Sequence, residues 1–484
     1  VIEPVAGSKA SLRLQADQAF SRTAGAPLVP GNAIRLLKDA DENYPAWLAA
    51  IRSAERSIFF ESYIVGNDPT GREFRDALAE RARAGVRVRV LHDWLGCNGP
   101  LSRGFWRPLA AAGAVVRAFN PPRFDSPLGW LSRDHRKSIC VDGRVAFVSG
   151  LCVTKAWLGN PSAGKEAWRD TGIEIRGPAV ADAERAFAQV WAASGPQLDD
   201  EDLTSPDSIP PAGDVPLRVV ASAPATAGLM RLDQLIAAIA RRRLWLTDAY
   251  FFPVPAYVQA LCAASRDGVD VRLLVPGASD IPLLSPLSRS AYRPLLEAGV
   301  RVFEWNGTML HAKTAVADGR WARVGSTNLN IASFVGNYEL DVAVEDSRFA
   351  AEMERQYRED LTMATEIVLR PRRRSVRPER AEPARFRGRR APSGSAGRAA
   401  AGAVRFGTSV RSAITSASTV YGDHRIIAGA AALLGGGAVV AALWPHLIAW
   451  PLAVIAAWFA AALFIRAWRA WRAESKGRTG PAGP

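Results

Sequence analysis

From about position 43 onward the apolar residues change period in a repeating order. "YPAWLAAIRSAER" places them at helical spacing, "SIFFESYIV" is a β-rich run, "GREFRDALAERARA" is amphipathic again, and "GVRVRVLHDW" alternates as a strand. The same order returns in "RLDQLIAAIARRR", "LWLTDAYFFP", "AYVQALCAASRD" and "GVDVRLLVPG". Further on, "RPLAAAGAVVRAF" at 107–119 is mirrored by "RPLLEAGVRVFEW" at 293–305. A pattern met twice predicts an internal duplication. Strands alternating with helices predict an α/β sandwich in each half, residues 30–205 and 206–368, after an N-terminal segment of residues 1–29. "SGPQLDDEDLTSPDSIPPAGDVP", rich in Pro, Ser and Asp, is expected to join the halves as a surface linker.

The pattern then changes character. Residues 426–465 contain no Asp, Glu, Lys or Arg and form two apolar runs broken at Trp444, Pro445 and His446. Each run is near the ~20 residues that cross a bilayer, so a transmembrane helical hairpin is expected within residues 424–468. Before it, residues 369–423 form an Arg-, Pro- and Gly-rich linker without the apolar content for a core, expected to be disordered and drawn to anionic headgroups. Residues 469–484 are a basic tail. "VIEPVAGSKASLRLQ" at the start has no apolar region of the kind a secretory signal carries.

Charge sharpens this division. The whole chain carries +14 over 484 residues. Between 370 and 425 fourteen Arg face only Glu379, Glu382 and Asp423, and the segment from Arg466 onward adds a further +4, which leaves residues 1–369 at about −1. The basic excess therefore flanks the apolar stretch, and by the positive-inside rule both flanks and the body between residues 30 and 368 face the cytoplasm. Cys97, Cys140, Cys152 and Cys262 show no metal or disulfide spacing.

Within the near-neutral body one motif occurs twice. "HRKSICVDGRVAFVSG" at 135–150 and "HAKTAVADGRWARVGS" at 311–326 each carry a His, a Lys two residues on and an Asp five residues later. The chain has only five His and seven Lys, so two such pairs are not an accident of composition. On a strand, residues two apart share a face, which groups His135 with Lys137 and His311 with Lys313. Asp142 and Asp318, each before Gly, predict tight hairpin turns. The return strands end in Ser149 and Ser326, near the start of the outgoing strands. Two such sites facing each other would set two His and two Lys around one anion. One His can attack phosphorus, the other can protonate the leaving alkoxide, and compact Lys charges can hold the non-bridging oxygens. This set calls for no metal or cofactor. Each His needs a carboxylate to fix its tautomer, and Asp170 in "WRDTGIEIRGPAV" and Glu339 in "SFVGNYELDVAV" are the candidates.

With these residues in view, the sequence resembles the phospholipase D superfamily, and most closely bacterial cardiolipin synthases and related phospholipase D-like proteins. The two HxKxxxxD motifs, "ESYIVGNDPTG", "RARAGVRVRVLHDW", "WRDTGIEIRGPAV" and "GSTNLN" carry the resemblance over roughly residues 20–368. It implies two phospholipase D-like halves forming one pseudo-twofold active site. It implies that His135 forms the phosphohistidine and His311 is the general acid, that Asp142 and Asp318 are mainly structural ion-pair partners, and that Asn328 is the polar residue after the second motif. The first half departs from the pattern, with Cys152 in "SGLCV" where Asn is common. Membrane segments of such families often precede the catalytic unit, whereas here the apolar stretch follows it.

The function expected is that of a phosphatidyltransferase in a bacterial inner membrane, forming cardiolipin from phosphatidylglycerol and a second phospholipid. A phospholipase D hydrolase releasing phosphatidic acid uses the same residues with water as acceptor, and the sequence leaves the two open. A phosphodiesterase acting on nucleic acid is disfavoured because the body lacks a basic track for the backbone, and a non-enzymatic scaffold because both motifs are intact. "PRFDSPLGWLSRD" and "SDIPLLSPLSRSAY" are candidate lids, with Trp130, Leu131, Leu283, Leu284 and Leu287 available to meet acyl chains. The sequence says nothing of oligomeric state.

Overall fold

The computed structural model describes residues 17–99, 102–122, 131–160, 162, 166–281, 288–289 and 291–369, with scattered positions between 450 and 468. The chain divides into two compact units, residues 1–367 with 458–484, and residues 368–457. The fold and site below lie in the first.

In chain order the strands are β1 (Val29–Lys38), β2 (Ser57–Ser62), β3 (Arg87–Asp93), β4 (Val115–Phe119), β5 (Lys137–Val141), β6 (Val145–Ser149), β7 (Thr171–Arg176) and β8 (Val215–Ser222). They continue with β9 (Arg243–Thr247), β10 (Asp270–Pro276), β11 (Arg301–Trp305), β12 (Thr314–Ala317), β13 (Trp321–Gly325), β14 (Glu339–Val344) and β15 (Ala364–Ile367). Outward from the centre the first half runs β1-β7-β6-β5-β2-β3-β4 and the second β8-β14-β13-β12-β9-β10-β11, with β15 at the edge. Adding seven to each number of the first series gives the second, so the duplication read from the sequence is one topology built twice. The halves join where β1 and β8 pair antiparallel, with Val29 opposite Leu217 and Asn32 opposite Val215.

Alternation along the strands sorts the core into layers. In β2, Ile58 and Phe60 face an outer core with Trp47, Leu78 and Val90, whereas Phe59 faces a central core. That central core also takes Val148 and Ile173 of the first half and Val324, Leu340 and Val342 of the second. The second half has its own outer core around Leu232, Leu246, Leu261 and Leu273. Helices Val180–Ala193 and Ser347–Thr362 fill the inner faces, so each half is the expected α/β sandwich and the two share their middle.

Local sequence explains the helices. Pro69–Arg83 starts on Asp68, whose carboxylate accepts the Gly71 N–H at 3.0 Å, with Pro at the first helical position. It buries Phe74, Ala77 and Leu78, and the two large side chains each contribute about 1.5–3 kcal/mol by leaving water. The segment expected as a surface linker is pinned to the body. Asp202 pairs with Arg87 at 2.7 Å, and Ile209 enters the central core. The described part of the N-terminal segment packs on the second half, where Arg218 donates to Ser21 at 2.7 Å and Ala24 and Ala26 join the outer core.

The basic linker and nearly all of the expected hairpin lie outside the described residues. Among the described residues no helix is long and apolar enough to cross a membrane. The positions described between 450 and 468 are helical, and Trp450, Val454 and Phe464 are exposed.

Candidate active site

Each motif forms a hairpin, β5–β6 and β12–β13, with Asp-Gly at the turn. Asp142 and Gly143 have φ of 57° and 68°, Asp318 and Gly319 of 52° and 67°, the left-handed pair of a tight turn in which Arg144 N–H returns to the Val141 carbonyl at 2.9 Å and Arg320 N–H to the Ala317 carbonyl at 3.1 Å. The Asp142 carboxylate accepts the N–H groups of Glu55, Arg56 and Ser57 at 2.9, 2.7 and 2.8 Å. That of Asp318 accepts those of Arg241, Arg242 and Arg243 at 2.9, 2.8 and 3.0 Å. These aspartates tie each turn to the start of β2 or β9. Their carboxylates are held by main-chain amides, with the Arg242 charge adding to the hold on Asp318. They sit five residues from the motif lysines, about 16 Å along a strand at ~3.3 Å per residue, too far to share in the chemistry.

The histidines lie just ahead of the strands rather than on them. Two short parallel bridges, Asp134 with Tyr338 and Arg169 with Leu310, lace each His segment to the opposite half. His135 N–H donates to the Tyr338 carbonyl at 2.9 Å, and His311 N–H to the Arg169 carbonyl at 2.7 Å. The residue after each acceptor is the carboxylate, so the pairs cross between halves. His135 Nδ1 meets Glu339 Oε2 at 2.9 Å and His311 Nδ1 meets Asp170 Oδ2 at 2.8 Å. Neither dyad exists within one half alone. Buried arginines hold the seam. Arg136 donates to the Glu339 carbonyl at 3.0 Å, and Arg169 reaches Asp360 through two bonds of 2.9 and 2.8 Å.

Both lysines are buried at the dyads. Lys137 Nζ donates to the His135 carbonyl at 2.5 Å. Lys313 Nζ donates to the His311 carbonyl and lies 3.0 Å from His311 Nε2. Ser326 Oγ donates to Glu339 at 2.6 Å. Asn328 is buried on the cavity wall, its amide oxygen without a hydrogen bond. Ser149 is not brought to either His; its hydroxyl accepts the Leu151 N–H at 3.2 Å and closes the turn after β6. His135 and His311 line one cavity of about 730 Å³, with Cys152 and Asn328 also on its wall. Phe252, Ile281 and Ile331 line it too and are 44–51% exposed, which makes them an apolar rim. Of the candidate lid residues, Leu131 is exposed, and Trp130, Leu283, Leu284 and Leu287 lie outside the described residues.

Burial governs the electrostatics. It lowers both histidines, His311 to about 3 with Lys313 adding to the effect, so the rings are neutral. Burial alone would raise Asp170 and Glu339, but His311 and Lys313 around the first, and His135 and Lys137 around the second, outweigh it and hold both carboxyls below their usual range. An ionised carboxylate on Nδ1 keeps the proton there and leaves Nε2 as the basic nitrogen, which at His311 lies 3.0 Å from Lys313 Nζ. Lys313 is lowered to about 8, chiefly by burial.

The aromatic residues around the rings escaped the sequence reading. Tyr63 stands edge-on to His135 with ring centroids 4.9 Å apart, and Tyr250 to His311 at 5.7 Å. Trp157 stands edge-on to His311 at 5.1 Å and donates its indole N–H to Asp170 at 2.8 Å. The equivalence of "SGLC" and "GSTN" holds the signal for this last contact, since Gly150 takes the place of Ser326.

Two His-Lys hairpins closed around one cavity by a duplicated α/β unit define an enzyme of the phospholipase D superfamily. A family model described as cardiolipin synthase, PLD-like domain, matches residues 47–191 and 234–361, and the chain belongs to that family. It is 32% identical to a cardiolipin synthase of Alkalihalophilus pseudofirmus over 345 residues, 70% of this chain and 68% of that one. It is 34% identical to cardiolipin synthase A of Pseudomonas fluorescens over 353 residues, 70% of this chain and 71% of the relative. Among solved structures, phosphatidylserine synthase of Haemophilus influenzae shares the fold, with a TM-score of 0.58 and 15% identity over 73% of this chain and 92% of that one.

Proposed function

We propose that the chain is a membrane phosphatidyltransferase of the cardiolipin synthase type, acting on phosphatidylglycerol through a phosphatidyl-histidine intermediate. The observation that carries this reading is the pair of histidines, each seated on a carboxylate of the opposite half, in one cavity. The relatives named cardiolipin synthase support the same activity.

In the first step His135 Nε2 attacks phosphorus, and the bond to the headgroup glycerol oxygen breaks. His311 gives that oxygen its proton. The arriving phosphodiester anion favours the imidazolium that burial disfavours, and Asp170 stabilises it. In the second step neutral His311 takes the proton from the hydroxyl of a second phosphatidylglycerol, whose oxygen attacks phosphorus and releases His135. The products are cardiolipin and glycerol. Lys137, Lys313 and Asn328 hold the non-bridging oxygens. The apolar rim meets acyl chains that a cavity sized for a headgroup leaves outside.

Residues 424–468 are the membrane anchor in this reading, with residues 369–423 as a tether on anionic headgroups and residues 30–205 and 206–368 as the catalytic halves on the cytoplasmic side of a bacterial inner membrane. The stretch without Asp, Glu, Lys or Arg between Arg425 and Arg466 supports the anchor. Purified full-length protein given phosphatidylglycerol vesicles is expected to yield cardiolipin and glycerol in a headgroup-resolved assay, and His135→Ala to abolish both. Phosphatidic acid alone, at every lipid and glycerol ratio, would replace the transferase with a hydrolase.

A further inference from the structure

The two dyads are supported by different donors. Glu339 Oε2, the oxygen that meets His135, also accepts the Ser326 hydroxyl at 2.6 Å. Asp170 Oδ2, the oxygen that meets His311, also accepts the Trp157 indole N–H at 2.8 Å. The backbone shows that Gly150 stands where Ser326 stands. Gly150 N–H donates to the Thr171 carbonyl and Ser326 N–H to the Leu340 carbonyl, each acceptor following its carboxylate in sequence. No hydroxyl-bearing side chain fits at 150 as the site is built, because a Cβ there would lie 2.2 Å from Asp170 Oδ1. Oδ1 itself accepts the Thr171 N–H at 2.8 Å. The second donor on Asp170 therefore comes from elsewhere, from the one-turn helix Lys155–Leu158 that carries Trp157.

We propose that Trp157 is the positioning residue of the His311–Asp170 pair, taking through its indole N–H the part that Ser326 takes for His135 and Glu339. It is buried, and its ring stands at 87° to the imidazole, so one side chain fixes the carboxylate rotamer and covers the His ring. Indole is a donor only and cannot rotate its proton away, whereas a hydroxyl can. Asp170 thus has one arrangement, with both oxygens occupied and its charge directed at Nδ1. The other groups around His311 are Lys313 on its own segment, Lys137 across the cavity, and Tyr250 and Trp168 beside the ring. None of these hydrogen-bonds the Asp170 carboxylate.

This assignment rests on the two-histidine reading of the site, and its test separates the two. The full-length chain in detergent micelles is ¹⁵N-labelled on its five histidines, and turnover of phosphatidylglycerol is followed in mixed micelles. Trp157→Phe keeps the ring and removes the donor. It is expected to lower kcat about tenfold, the scale of one lost hydrogen bond to a charged group, with KM within about twofold. The ring ¹⁵N resonances of His311, identified with His311→Asn, move, while those of His135 hold. Ser326→Ala gives the mirror result, moving His135 and leaving His311. His311 resonances that stay in place in Trp157→Phe, or an equal shift of both histidines, would overturn the assignment. Wild-type protein that turns over no lipid would remove the functional reading, and the resonances would still decide the role of Trp157.

Discussion

The half-site around His135 and the half-site around His311 share a backbone, a lysine and an edge-on tyrosine, and differ in the carboxylate, its supporting donor and the tryptophans beside the ring. His135 has Glu339 steadied by Ser326, with Tyr63 beside the ring. His311 has the shorter Asp170 steadied by Trp157, with Trp168 and Tyr250 around it. Register adds one more difference. Lys137 faces Ser62 across β5 and β2, and the same register on β12 and β9, where Thr314 faces Thr247, sets Lys313 against Asp248. Duplication supplies two equivalent cradles, and in the proposed mechanism their divergence makes one a nucleophile's seat and the other an acid's. A symmetric site could not favour either direction of proton flow, because the roles of nucleophile and acid call for different basicities.

The comparison breaks most severely at the carboxylates. Glu339→Gln and Asp170→Asn each keep the shape and remove the charge that sets the His tautomer, and each is expected to cost about 10³–10⁴-fold in kcat. They are not expected to act alike. Glu339→Gln slows formation of the covalent intermediate, so rapid-quench labelling traps little phosphatidyl-enzyme. Asp170→Asn slows proton delivery and removal, so a substrate with a good leaving group, which needs no acid, labels the enzyme at nearly the wild-type rate and then stalls. Equal labelling by both variants would mean that the two histidines exchange roles.

Much of this is legible in the sequence. The duplication followed from the repeated change of period, and His135, Lys137, His311, Lys313, Asp170 and Glu339 from residue type and repeat. The crossing of the dyads was not legible. It is set by the β1–β8 junction and by two single-residue bridges, contacts between segments some 140 to 200 residues apart that leave no local period. The role of Asp142 and Asp318 was hidden for another reason, since main-chain amides carry no residue identity. Trp157 was hidden because a lone Trp in a loop usually packs, and only Gly150 at the place of Ser326 marks a missing donor.

Asn328 and Cys152 offer a smaller test of the same asymmetry. Both line the cavity at equivalent positions, but only the amide can donate to a phosphate oxygen strongly. Asn328→Ala is expected to lower kcat/KM about 10- to 100-fold, the loss of one hydrogen bond to a charged oxygen. Cys152→Ala is expected to change kcat/KM by less than about threefold and to lower stability by about 1 kcal/mol, the scale of a small buried group removed. Steady-state kinetics on mixed micelles, with a denaturation midpoint for each variant, separates the two. A comparable loss in both would mean that phosphate contacts the two walls alike.

The finest difference lies in the lysines and is read as pH dependence. Lys313 is lowered to about 8, chiefly by burial, with Asp248 among the groups that raise it. Asp248 is itself raised to about 7 by burial, and its Oδ2 has no hydrogen-bond partner. As pH rises through about 8 Lys313 loses its proton, the cation on the phosphate disappears, and kcat/KM falls along an alkaline limb, about tenfold per unit. Asp248→Ser gives the second half the residue that faces Lys137 in the first. Removing an acid that favours the charged ammonium moves the limb to lower pH, so the variant keeps much of its activity at pH 6.5 and loses it earlier on the way to pH 9. Activity measured across pH 6 to 9.5 in both proteins decides the matter. A limb that stays in place after Asp248→Ser would assign it to a group other than Lys313, and the two lysines would then be equivalent where the histidines are not.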